Sequence, residues 1–180
     1  MAWTTPRDWS TGEFVNEAMM DTHIRDNFLA MGPHLIVRKP SDESVTSSTT
    51  FQADDHLLMA VAANEVWLTR WVVVWTGSTT GDINTRFTFP AGGELTLSAL
   101  RSDGTGTQTP FMFGYTTSPT AAISSESLAS GGLRTFIIFD IQFTNSGTAG
   151  NVALEWAQLS SNGTATIVKA NSTLWGVKLA

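Results

Sequence analysis

The chain contains no cysteine. Disulfides, thiolate nucleophiles and thiolate zinc sites are thereby excluded together, and the redox compartment is left open. Charge is also scarce: Asp, Glu, Lys and Arg make up 14% of the 180 residues, and the formal net charge is -6. A field of that sign repels phosphate backbones and anionic membrane surfaces, so nucleic acid is not an expected partner. No run approaches the roughly 18 to 20 consecutive apolar residues of a membrane span, and no basic segment followed by an apolar one opens the chain. The expectation is a protein without membrane insertion and without a secretory address. Histidine occurs only at His23, His34 and His56, and no Gly-x-Ser-x-Gly elbow accompanies it. An enzyme is not expected, and no catalytic, cofactor-binding or metal-binding residue is nominated.

The acidic clusters read as ordinary surface. Asp54-Asp55-His56 offers ligand types, but successive side chains on an extended chain alternate faces, so a solvated polar start to a strand is the better reading. Asp42 and Glu43 read as solvated charge in a linker. Ser102-Asp103-Gly104-Thr105-Gly106 lacks the later acidic positions of a calcium loop and reads as a turn. Asn162 and Asn171 match a glycosylation pattern by chance in a Thr-rich chain.

What is present is a globular composition, 42% hydrophobic, with a surface of Thr, Ser, Gly and Asn. Residues 1–16 read as an extended peptide, turned at Pro6 and Gly12 and carrying Trp3 and Trp9. Asn16 is then placed as an N-cap, and Met20, Ile24, Phe28 and Met31 fall at helical spacing before Gly32-Pro33 stops the helix. A helix of about four turns is marginal alone and needs a partner surface. Residues 34–44 read as a short apolar strand running into a Pro/Ser/Asp/Glu linker. From 45 to 180 the texture is β, with about nine strands separated by Gly/Ser/Asn turns and no helix between them. This argues for an antiparallel jelly roll or β-sandwich carrying an N-terminal arm and one short helix. "HLLMAVA" (56–62) and "EVWLTRWVVVWTG" (65–77) are joined tightly at Ala63-Asn64. The second run is apolar on both faces, as expected of a central strand. Core is the favoured reading of Trp67, Trp71 and Trp75 on one face, over an aromatic sugar-binding platform. Trp156 and Trp175 are candidates for a subunit interface, where aromatics are enriched.

The segment Trp3-Thr4-Thr5-Pro6-Arg7, Trp9, Gly12-Glu13 and "THIRDNFLAM" (22–31) resembles the start of many small virion proteins of tailed bacteriophages. Some of those carry Thr-Ala-Ala where this chain has Asn16-Glu17-Ala18. "GDINTRFTFP" (81–90) and "LEWAQLSSNGTATIVKANSTLWGVKL" (154–179) resemble the tumour-necrosis-factor-like jelly rolls that phages attach behind this segment. The resemblance implies a homotrimeric structural protein on the virion exterior, assembled in the host cytoplasm. Trp3, Thr4, Pro6, Trp9 and Gly12 would attach to the major capsid protein or another virion protein. Met20, Ile24, Phe28 and Met31 would associate the three helices. Without a long fibrous shaft, a capsid decoration or head-fibre protein is favoured over a minor tail or tail-fibre protein whose jelly roll binds a host receptor or surface glycan. A free carbohydrate-binding module is the third alternative, and it requires Trp67, Trp71 and Trp75 to face solvent.

Overall fold

The structure, a computed structural model, describes residues 4–5, 7–30, 34–102, 108–118, 122–126 and 134–179. It divides into two compact units, Met1–His34 and Leu35–Ala180. Trp3, Pro6, Met31, Gly32, Pro33 and the turn at 103–107 lie outside the described residues.

In the first unit, α1 (Glu17–Met20) runs through a π-helical turn (Asp21–Arg25) into α2 (Asp26–Ala30). Asn16 caps it as expected, its side chain accepting from the Met19 N–H at 3.0 Å. Before it, Glu13 N donates to Ser10 O at 3.1 Å, with Gly12 at φ +84°. A positive φ at the third position of a turn is the type II geometry that glycine supplies without steric cost.

The second unit is mainly β and antiparallel, a sandwich of two sheets. The larger follows the order β1 (His34–Arg38), β12 (Thr173–Lys178), β4 (Val66–Thr76), β9 (Thr135–Thr144), β6 (Glu94–Ser102), β7 (Gln108–Thr116). β11 (Thr166–Val168) joins it beside β4 and carries β2 (Glu43–Val45). The smaller sheet runs β3 (Gln52–Val61), β10 (Gly150–Ala157), β5 (Ile83–Thr88), β8 (Ala122–Glu126). Residues 34–44, expected to be a strand and a linker, thus hold β1 and the start of β2.

β4 is central, as its two apolar faces suggested: β9 pairs along one edge, while β12 and β11 divide the other. Its inward face carries Trp67, Trp71, Val73 and Trp75, all buried. Trp71 meets Phe87 of the opposite sheet edge-on at 4.9 Å, and Phe87 meets Phe139 at 5.2 Å. These T-shaped contacts suit the quadrupoles of the rings and join the two layers. With the three indoles in the core, the sugar-binding platform is absent and the carbohydrate-module alternative falls. Trp156 is also fully buried, so it belongs to the core and is unavailable to a subunit interface.

The Ala63-Asn64 connection is tight but makes no hairpin, because β3 and β4 lie in different sheets. The chain arches over the sandwich edge with Asn64 at φ +62°, a conformation asparagine tolerates better than most residues. Glu65 holds the arch by accepting from Ala62 N, Trp67 Nε1 and Lys178 Nζ, each at 2.9 Å. Partial burial pushes the Glu65 carboxyl up, but the Trp67, Lys178 and Ala62 donors outweigh it and leave the group below its ordinary value. The folded state therefore binds this proton more weakly than the unfolded chain. The stability contributed by Glu65 is complete above the ordinary carboxylate range and is lost as pH falls through its lowered folded value. Glu65→Gln is expected to lower the melting temperature at neutral pH and to flatten its acid limb, which thermal unfolding across pH will measure.

Candidate interaction surfaces

In the N-terminal unit, Asn27 alone is buried among the residues whose side chains are described. Its amide is a clip for the arm: Thr4 N and Thr4 Oγ1 donate to Asn27 Oδ1 at 2.9 and 3.0 Å, and Asn27 Nδ2 donates to Thr4 O at 3.0 Å. Thr4, assigned to attachment, therefore uses its polar groups on the helix. Trp9 is 43% exposed, with the Arg7 guanidinium 5.6 Å above its ring and His23 against its edge. Arg7 in turn pairs with Glu13.

The opposite result holds for the apolar helix positions. Met20, Ile24 and Phe28 are all exposed, and Phe14 and Val15 just before the helix are exposed with them. Four-residue spacing drifts around a 3.6-residue helix, but a π turn takes up more residues and offsets that drift. The π-helical turn at Asp21–Arg25 thus keeps Met20, Ile24 and Phe28 close to one line. Phe14, 94% exposed, escaped the sequence reading because it precedes the helical period.

The second surface is the outer face of the larger sheet. Register places Leu100, Ile138 and Val72 side by side in one row, with Phe136 and Val74 beyond them. The next row is Ser98, Asp140, Arg70 and Trp175, and the one after it Thr96, Gln142, Leu68 and Val177. Leu68 and Trp175 are about half exposed, at 47% and 49%. The others of these apolar side chains are half-buried. Charge on the three rows is confined to Arg70 and Asp140, joined by two hydrogen bonds at 2.6 and 2.8 Å, with the guanidinium 6.0 Å from the Trp175 ring. The face is apolar and locally neutral on a chain of net charge -6.

Asp42 and Asp55 are exposed, as expected of them, but Asp54 and Glu43 are not the solvated surface the sequence suggested. Lys39 is fully buried and donates to Asp54 Oδ2 at 2.8 Å and Glu43 Oε2 at 2.6 Å, with the Asp54 side chain equally buried. Glu43 also accepts from Gln52 Nε2 at 2.7 Å. Asp42 pairs with Lys169 and accepts from Ala170 N, and the Lys169 and Ala170 donors hold its carboxyl below the ordinary value. One sequence signal pointed to Lys39: Leu35 and Val37 lean on the core, and position 39 continues their alternation. No group of three or more His, Cys, Asp or Glu residues suited to a metal ion occurs among the described residues. Among these residues, no helix is long and apolar enough to cross a membrane.

No family model matches the chain, and no curated protein does. Among solved structures it is similar to two described as the structure of infectious bursal disease virus, Gt strain and Gx strain. Each is 10% identical, and the match covers 81% of this chain and 39% of the viral chain, with TM-scores of 0.23 and 0.20. The chain therefore spans about two fifths of the length of those chains, and TM-scores of this size do not define a shared fold.

Proposed function

We propose that this chain is a structural protein of a tailed-bacteriophage virion, displayed on the particle exterior as a homotrimer and held there by its N-terminal unit. The observation that carries the reading is the N-terminal unit itself, which exposes Trp9, Phe14, Val15, Met20, Ile24 and Phe28 while burying one described side chain, Asn27. Contiguous exposed apolar side chains mark an interaction surface. The resemblance of the first 31 residues to phage attachment segments points the same way. The outer face of the larger sheet supports self-association, since a neutral apolar face lets acidic copies approach without repulsion. Decoration of the capsid is favoured over a tail position. In the exposed turn at 144–151 two polar side chains are committed within the chain, Asn145 Nδ2 donating to Ala62 O and Thr148 O and Ser146 Oγ to Ala91 O, which leaves fewer groups for a receptor.

Quantitative mass spectrometry of purified particles tests the placement. Many copies in a simple ratio to the major capsid subunit are expected; a few copies, in multiples of three, would move the protein to the tail, and none would overturn the virion reading. Light scattering tests the assembly. The wild type is expected at trimeric mass, and the double variant Leu68→Arg, Trp175→Arg at monomeric mass with an unchanged circular dichroism spectrum, because both side chains are exposed in the single chain. A monomeric wild type would remove the trimer from the proposal.

A further inference from the structure

The buried Lys39 and Asp54 and the partly exposed Glu43 have no part in either interaction surface, and their arrangement carries a reaction. β3 loses register with β10 here: Ala153 faces Leu58, but Glu155 faces Ala53, so residues 54–57 of β3 stand opposite Leu154 alone. This bulge turns Asp54 inward, and its Oδ1 accepts the backbone N–H groups of His56 at 3.0 Å and Leu57 at 2.8 Å. Oδ2 faces the Lys39 Nζ at 2.8 Å, and Glu43 Oε2 lies 2.6 Å from the same nitrogen. The Lys39 and Asp54 side chains are 0% exposed, while that of Glu43 is 16% exposed.

We propose that Lys39 and Asp54 condense to an intramolecular isopeptide bond, with Glu43 as the proton carrier. An amine, a carboxyl carbon, two N–H donors on the oxygen that would become the oxyanion, and a second carboxylate on the amine are together in one dry site. Glu43 takes a proton from the Lys39 ammonium and passes it to Oδ2, so that the free Nζ attacks Cγ of a neutral Asp54 carboxyl, forming the C–N bond. Negative charge develops on Oδ1, where the His56 and Leu57 N–H groups already stand at the distances of an oxyanion hole. Collapse of the intermediate breaks the Cγ–Oδ2 bond, and Oδ2 departs as water with the two protons that the ammonium gives up through Glu43. The sum is one ammonium and one carboxylate giving one amide and one water, with no oxidant or reductant.

In bulk water such a condensation does not proceed, but two features of this site favour it. Fixed proximity of the reacting groups gives effective molarities of about 10⁵ to 10⁸ M in well-oriented intramolecular reactions. The product also replaces two buried charges, which are costly to desolvate, with a neutral amide. Partly exposed Glu43 marks the route by which water leaves. The bond would join the end of β1 to β3, and hence the larger sheet to the smaller.

The test is the intact mass of the purified full-length protein, expected to lie below the sequence mass by one water. Lys39 precedes Pro40, and no Lys or Arg occurs between it and Arg70, so the loss is expected in the tryptic peptide 39–70. Cleavage after Glu43 and Glu65 is expected to leave the two peptides joined through Lys39 and Asp54. The full sequence mass in the folded wild type would overturn the proposal. So would a water loss whose peptides separate after cleavage at Glu43, since that loss would be a local dehydration. Glu43→Gln, nearly isosteric, is expected to fold by circular dichroism and keep the full mass; condensation in that variant would overturn the role of Glu43.

Discussion

Trp71→Ala is expected to destabilise the protein by about 3 to 5 kcal/mol, the range for a large aromatic removed from a packed core. Trp71 is fully buried, and the cost has three sources. The indole fills space between the sheets that backbone relaxation cannot close, because β4 is pinned along both edges. Its edge-on contact with Phe87 is lost, and Phe87 keeps only Phe139 as a ring neighbour in that chain of contacts. The Thr69 hydroxyl, itself buried, loses the indole N–H that donates to it at 2.9 Å. Chemical denaturation with tryptophan fluorescence measures the loss. A cost below about 1 kcal/mol would mean that the sandwich interior is far softer than its burial implies.

Asp54→Ala is expected to be about 1 to 3 kcal/mol less stable than the double variant Lys39→Met, Asp54→Leu. Removing Asp54 leaves the buried ammonium one carboxylate short, whereas replacing both with apolar side chains of similar size removes that charge from the interior. In the single variant the Lys39 ammonium stays buried with Glu43 as its remaining carboxylate among the described residues. The His56 and Leu57 N–H groups lose their acceptor in both variants, so that cost cancels in the comparison. Neither variant can form an amide between positions 39 and 54, so covalent linkage cancels as well. Equilibrium unfolding of the two proteins side by side gives the difference.

How far these features were legible in the sequence follows the range of the interactions behind them. The N-cap at Asn16, the β texture after residue 45 and the central place of β4 are written in local pattern: a short polar acceptor before a helical period, alternation, and a strand apolar on both faces. The inward position of Trp67, Trp71 and Trp75 follows from the same alternation. The tight connection at Ala63-Asn64 was legible, but not whether the strands it joins pair or cross to opposite sheets, because both have the same local signature. Trp156 was placed at an interface from composition alone, and only the pairing of β10 between β3 and β5 puts it in the core. Asp54 and Glu43 looked solvated because their partner, Lys39, meets them through a β-bulge and across two sheets, which no local period encodes.

The backbone of Lys39 is fixed as firmly as its side chain: its N–H donates to Ser172 O at 2.8 Å, and its carbonyl accepts from Asn171 N at 2.9 Å. If the preceding residues are tethered to a particle, pulling force enters the sandwich along β1, loads its pairing with β12 and then reaches this residue. There the load divides, through the backbone into the loop before β12 and through the side chain into β3. Lys39 is thus a mechanical stop, and tension would have to break it before any of the strands from β2 to β11 could be drawn out in sequence.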